Sequence, residues 1–202
     1  VGLAYEKKAD ASVNAGASDD KLRELYMLGF DACRVGRYPT PTSLGKLAAY
    51  HHSLRIFSKA TKYFDPPLEI IELPFEGKKL IGYLQKPSGV VAPPVVLHWG
   101  GVDGWKEDRL RIARAIMAAG LASLTIDMPG SGENPVLYGD PLAERTYFNW
   151  LDYLPTRADV NGKRVAVWGG SFGAYWAARL AFVAANRIKG AVFHGGNIHF
   201  GF

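Results

Sequence analysis

The run Val165-Ala166-Val167-Trp168-Gly169-Gly170-Ser171-Phe172-Gly173-Ala174 decides how this chain is read. Its first four residues are a short β-type run, and Ala174, Ala177, Ala178 and Ala181 mark an alanine-rich helical stretch after it. Between them, Gly169-Gly170-Ser171-Phe172-Gly173 fits the pattern G-x-S-x-G. A strand that turns this sharply into a helix needs small residues two places before and two after the serine, because side chains there would collide. The predicted strand and helix supply the context that five letters alone lack, and they make Ser171 the candidate nucleophile. A glycine-rich turn with an idle serine is the plainer alternative.

Outward from that turn, residues 95–97 are an apolar run leading into His98-Trp99-Gly100-Gly101. A helical pattern then starts near Lys106 and ends at Ala119-Gly120. Residues 121–126 form another apolar run, closed by Asp127-Met128-Pro129-Gly130-Ser131-Gly132, and Asp140-Pro141 reads as the start of a helix reaching about Leu154. A helix from Phe172 to about Ala184 and a strand over 191–193 follow. Further upstream, Ile71, Leu73 and Phe75 alternate, Glu76-Gly77 can turn, and residues 80–84 return, which is a hairpin. This order predicts an α/β fold: a mostly parallel sheet wrapped by helices. Ligands belong at the carboxyl ends of such strands. The three special loops all follow strands and are expected to meet on one edge.

Before residue 65 the texture is helical. Leu22, Leu25, Tyr26 and Gly29 keep helical spacing up to Gly36-Arg37-Tyr38-Pro39, and a second stretch after Thr42-Ser43 places Leu47, Tyr50, His51, Leu54 and Phe57 on one stripe. Residues 1–64 therefore read as a helical module with Asp65-Pro66-Pro67 as its exit, and 65–202 as the α/β part. Tyr50 is a candidate pocket-lining residue, with packing the alternative for it and for His51.

A serine hydroxyl needs a base to take its proton and backbone donors to hold the oxyanion of a tetrahedral intermediate. Phe172, at the head of the helix, offers one N–H. The Gly100-Gly101 turn offers the other, with Gly101 the first choice and Val102 the second. His98 and Trp99 stand at the mouth of that turn and are assigned to the substrate pocket, although a histidine ending a strand more often braces a loop than serves as base. His194 and His199 follow the last strand and can lie near the edge of the site. Asp103, just past the turn, can reach a substrate group or a water, or it caps the helix that follows. Asp127 is expected to support neighbouring loops.

Composition narrows the function. With 202 residues, 48% hydrophobic and 21% charged, the chain can bury a sizeable core and has no disorder signature. No apolar stretch approaches the roughly 18 residues of a spanning helix, and residues 1–10 lack the apolar block of a leader, so a cytoplasmic, membrane-free protein is expected. Cys33, the lone cysteine, makes no internal disulfide and reads as a small buried hydrophobe; no metal or other cofactor is expected. The net charge of +5 comes from Lys and Arg scattered in runs of no more than two, a solvated surface rather than a nucleic-acid stripe. The expected partner is a small-molecule substrate.

Taken with the helical N-terminal module, the segments Glu-Leu-Pro-Phe-Glu-Gly (72–77), Gly-Tyr-Leu-Gln-Lys-Pro (82–87), Gly-Gly-Val-Asp (100–103), Leu-Thr-Ile-Asp-Met-Pro-Gly (124–130) and Gly-Gly-Ser-Phe-Gly (169–173) resemble the FrsA-like α/β-hydrolases. That group includes 2,6-dihydroxypseudooxynicotine hydrolase and polyketide-shortening hydrolases of fungal pigment synthesis. The resemblance implies a Ser-Asp-His triad with Ser171 as nucleophile, a helical cap, and hydrolysis of an acyl carbon-carbon bond of β-diketone type or of a carboxylic ester. It also places an acidic residue at position 103 in the catalytic set, here Asp instead of Glu, and it alone suggests a homodimer. The resemblance puts the triad Asp and His beyond two further strands, on the order of 60–100 residues after those present. They are expected beyond Phe202 or are absent, and the expected fold is a C-terminally truncated α/β-hydrolase sheet. A non-catalytic binding protein or inactive fragment of the same fold is the alternative function.

Overall fold

The computed structural model describes residues 1–196. The chain divides into two compact units, one of Val1–Leu68 and one from Glu69 onward.

The first unit is three helices, α1 (Gly2–Asn14), α2 (Asp19–Arg37) and α3 (Leu44–Ala60), closed by a 3-10 turn over Thr61–Tyr63. Ser18 and Ser43 start α2 and α3 by accepting hydrogen bonds from the Lys21 and Lys46 amides at 3.4 and 3.3 Å. Asp19 and Asp20 in the first turn of α2, and Arg34 and Arg37 in its last, suit the helix dipole. Leu22, Leu25, Tyr26 and Phe30 of α2 and Tyr50, Ile56 and Phe57 of α3 are buried. His51, expected on the inner stripe, is exposed; Ser53 and Ala60 complete the buried face instead. Sequence periodicity does not reveal α1, because its buried residues are Gly2, Glu6 and Ala9. Gly2 lies so close to α2 that a β-carbon there would stand 2.4 Å from Cys33 Sγ. Glu6 pairs with Arg55 and Lys59, and the Arg55 hydrogen bond holds its carboxyl below the ordinary carboxylate range.

Among the described residues, the second unit holds a six-stranded sheet in the order β1-β2-β4-β3-β5-β6. The strands are β1 (Leu68–Phe75), β2 (Lys78–Gln85), β3 (Pro94–Trp99), β4 (Ala122–Ile126), β5 (Asn161–Gly170) and β6 (Gly190–His194). Glu76 and Gly77 both have positive φ, the two-residue turn that joins twisted antiparallel strands. Strand β2 pairs antiparallel with β4, and β4-β3, β3-β5 and β5-β6 are parallel. Helices α4 (Leu110–Ala118), α5 (Arg145–Tyr153) and α6 (Gly173–Val183) connect them. The central strands are buried on both faces, so β4 is buried at all five positions, as a covered parallel sheet requires.

Two helices start later than the sequence suggests. Residues 106–109 form a 3-10 turn ahead of α4, and Asp140 Oδ1 accepts from the Leu142 amide at 2.8 Å in a local turn, leaving α5 to begin at Arg145. At the edge that positions the site, the carboxyl ends of β3, β4 and β5 lie side by side, with Trp99 opposite Gly169 and His98 opposite Thr125 and Trp168.

Candidate active site

Strand β5 ends at Gly170 and α6 begins at Gly173, so Ser171 sits in a two-residue reversal. It has φ +53°, a left-handed conformation unusual for a residue with a side chain, and it is exposed. Its amide donates to the His194 carbonyl at 2.7 Å. The flanking glycines are required by contact: a β-carbon on Gly169 would lie 2.0 Å from the Gly173 carbonyl oxygen, and one on Gly173 2.1 Å from the Gly100 oxygen. Trp99 Nε1 donates to the Gly173 carbonyl at 2.8 Å, tying the first turn of α6 to the end of β3.

The turn after β3 closes against the serine. A β-carbon on Gly101 would stand 2.8 Å from Ser171 Cβ and 3.0 Å from both Ser171 Oγ and the Phe172 amide nitrogen. Gly101 is buried and Val102 is half exposed; the Val102 carbonyl accepts from Trp105 Nε1 at 2.9 Å. Phe172 packs on Tyr138, with ring centroids 4.8 Å apart. Ser171, Gly101, Val102 and Phe172 thus share one corner of the second unit.

His98 and Trp99, assigned to the substrate pocket from the sequence, are both fully buried, on opposite faces of the sheet. His98 Nε2 bonds Ser123 Oγ (2.7 Å) and Thr125 Oγ1 (2.9 Å), and its Nδ1 accepts from Arg109 Nε at 3.4 Å. Burial, with the Arg109 charge behind it, pushes the imidazole well below its ordinary pKa, so the ring is neutral. Arg109 itself is drawn down to about 10 by burial, and its Nη1 occupies the space over Gly170. Trp99 packs against Tyr147 with ring centroids 4.6 Å apart and the planes tilted by 50°. Tyr50 lies buried on α3 of the first unit. Asp103 is half-buried one residue past Val102, and Asp108 Oδ2 accepts from the Trp105 amide at 2.8 Å at the start of the next turn. His199 lies outside the described residues.

A buried ionic cluster behind the turn escapes sequence reasoning. The Lys106 ammonium, with a fully buried side chain, meets Glu107 Oε1 at 2.7 Å, Asp127 Oδ2 at 2.8 Å and Glu133 Oε2 at 2.7 Å. Asp127 also accepts from the Lys106 amide (2.8 Å) and the Glu133 amide (2.9 Å), the loop support expected of it. Gly132 makes room, since a β-carbon there would lie 2.2 Å from Asp127 Oδ2. Tyr83 donates to Glu107 at 3.0 Å. Burial pushes the Glu107 carboxyl up to about 7 against the pull of Lys106. No sequence signal distinguishes Lys106 from a solvated lysine. Among the described residues no group of three or more His, Cys, Asp or Glu is disposed to hold a metal ion, and no helix is long and apolar enough to cross a membrane.

The sequence pattern of the FrsA-like family, described as esterase FrsA-like, matches residues 29–202. The chain belongs to this family. Esterase FrsA of Vibrio cholerae serotype O1 is 31% identical over 206 residues, which cover 98% of the FrsA-like chain and 47% of that relative. The chain therefore spans about half the length of this curated relative. Among solved structures, the 2,6-dihydroxy-pseudo-oxynicotine hydrolase superposes with a TM-score of 0.85 at 24% identity, over 96% of this chain and 55% of that one. AbyA5 superposes with 0.73 at 24% identity, over 95% and 51%. The shared fold is the α/β-hydrolase fold, a mostly parallel sheet with helices on both faces.

Proposed function

We propose that this FrsA-like chain carries the nucleophile half of a serine hydrolase. The observation that supports it most is the approach of Gly101 to Ser171 Oγ and to the Phe172 amide, which groups a hydroxyl with two backbone donors. Ser171 Oγ attacks a substrate carbonyl carbon while a base takes its proton. The oxygen that becomes negative is held by the Gly101 and Phe172 amides, with the Val102 amide as the alternative donor. The bond to the leaving group then breaks and the leaving group takes the proton back; water releases the acyl group by the same steps. Asp103 lies beside the turn, where a substrate group or the hydrolytic water is within its reach.

Among the described residues no histidine is hydrogen-bonded to Ser171 Oγ, and burial removes His98 from that role. The base and its carboxylate are assigned to the part of the relatives' length that this chain does not span. The substrate is a small molecule cleaved at an acyl carbon-carbon bond of β-diketone type, with a carboxylic ester as the second choice. Likeness to the 2,6-dihydroxy-pseudo-oxynicotine hydrolase favours the first and the esterase relatives the second.

A fluorophosphonate probe tests the reading on the natural full-length protein. Labelling at Ser171, lost in Ser171→Ala, is expected. An unlabelled wild-type protein overturns the reading in favour of a non-catalytic binding role.

A further inference from the structure

The serine turn rests on a part of the fold that the proposed chemistry does not use. Val102, next to Gly101, is held through its carbonyl by the Trp105 indole N–H, and Trp105 is followed directly by Lys106. Lys106 is gripped twice by Asp127, through its amide and through its ammonium, so the loop after β3 and the loop after β4 are fastened at one point. The three carboxylates come from separate places: Glu107 from the 3-10 turn, Asp127 from the end of β4 and Glu133 from the loop beyond it. Tyr83 closes the cluster from β2, its hydroxyl on Glu107 and its ring 5.2 Å from the ammonium.

One ammonium faces three carboxylates. Fully ionised, the cluster would carry an excess of two negative charges inside the protein, where repulsion is screened far less than at the surface. Glu107 and Asp127 are almost wholly buried, whereas the Glu133 side chain is 29% exposed. A proton therefore settles on the cluster most readily at Glu107, and Glu133 is the member able to turn outward when that proton leaves.

We propose that Lys106 and Glu107 are positioning residues for the turn that faces Ser171: the buried ammonium and its carboxylates set where the Gly101 amide stands, and the charge on Glu107 adjusts it. The groups facing Glu107 are Lys106, Asp127, Glu133 and Tyr83, and ionisation of Glu107 tightens its hold on Lys106 while driving Glu133 away. The catalytic consequence rests on the serine reading above; the coupling itself does not.

The test has two arms. In the first, the Gly101 amide resonance of the ¹⁵N-labelled natural full-length protein is followed from pH 5 to 9. Wild type is expected to titrate with a midpoint near 7, and Glu107→Gln, which keeps the size and loses the charge, is expected to be flat. A Gly101 amide that ignores pH in wild type, or titrates equally in Glu107→Gln, overturns the proposal. In the second arm, Lys106→Met in the natural full-length protein should lower the fluorophosphonate labelling rate about tenfold, less than outright loss of an oxyanion donor, with Lys106→Arg recovering part of it. An unchanged rate in Lys106→Met also overturns it. If the wild-type protein is not labelled while its Gly101 amide titrates and that of Glu107→Gln does not, the serine reading fails and the coupling stands. Should Lys106→Met fail to fold, the comparison of wild type with Glu107→Gln alone decides.

Discussion

Gly101 approaches Ser171 so closely that any side chain on the glycine would have to displace the serine: a β-carbon would lie 2.8 Å from Ser171 Cβ and 3.0 Å from Oγ. Gly101→Ala is therefore expected to move the turn off the reacting centre. On the serine reading, kcat for ester or diketone cleavage falls about 100-fold, the usual cost of losing an oxyanion donor, with a much smaller change in KM. Steady-state kinetics on the natural full-length protein measure both.

The clamp between Trp99 and α6 is a matter of stability. Trp99→Phe keeps the packing against Tyr147 and removes the indole N–H, leaving the Gly173 carbonyl without that donor. A loss of about 1–3 kcal/mol is expected in urea unfolding, the range for a buried polar group deprived of its partner.

His98 separates bracing from catalysis. His98→Ala removes three hydrogen bonds from the sheet interior and leaves a cavity, at a cost of about 2–4 kcal/mol. The pH profile of Ser171 labelling should keep its midpoint, because a neutral, fully buried ring does not exchange protons with Oγ. A midpoint that moves in this variant contradicts the structural assignment.

What the sequence could and could not show follows from where the information resides. The turn at Ser171 was legible because glycines forced by backbone contact sit at fixed offsets from the serine, and the strand and helix around it have unmistakable periods. The order of the strands was legible for the same reason. Helix α1 was not, since its buried face is Gly2, Glu6 and Ala9, residues whose burial depends on α2 lying close by. Nor was the interior position of His98 and Trp99 legible: both end a strand beside a glycine turn, and only the packing on each face of the sheet decides that both are fully buried. Lys106 and Glu107 look like surface charges in the sequence; they are buried because Asp127 and Glu133, from 20 and more residues away, converge on them.

Glu107 also predicts how stability depends on pH. Its folded pKa, about 7, lies above the ordinary 4.5 of an unfolded chain, so the folded state binds more protons between these values. Its contribution is fully present below about 4.5 and is lost as pH rises through 7. Wild type should lose roughly 1–3 kcal/mol across that window relative to Glu107→Gln, which cannot ionise. Urea midpoints of the two chains at pH 4.5 and 8.5 give the comparison.

The φ of +53° at Ser171 predicts an inverted tolerance to substitution. A β-branched residue is the worst fit to this conformation and glycine the best. Ser171→Val should lower the melting temperature, equivalent to about 1–2 kcal/mol, while Ser171→Gly should melt no lower than wild type.

Position 171 is thus one at which folding and chemistry rank the amino acids in opposite orders. The residue that would rest most easily there has no hydroxyl, so a search for thermostable variants that monitors only folding would drift towards proteins with an intact architecture and an empty centre.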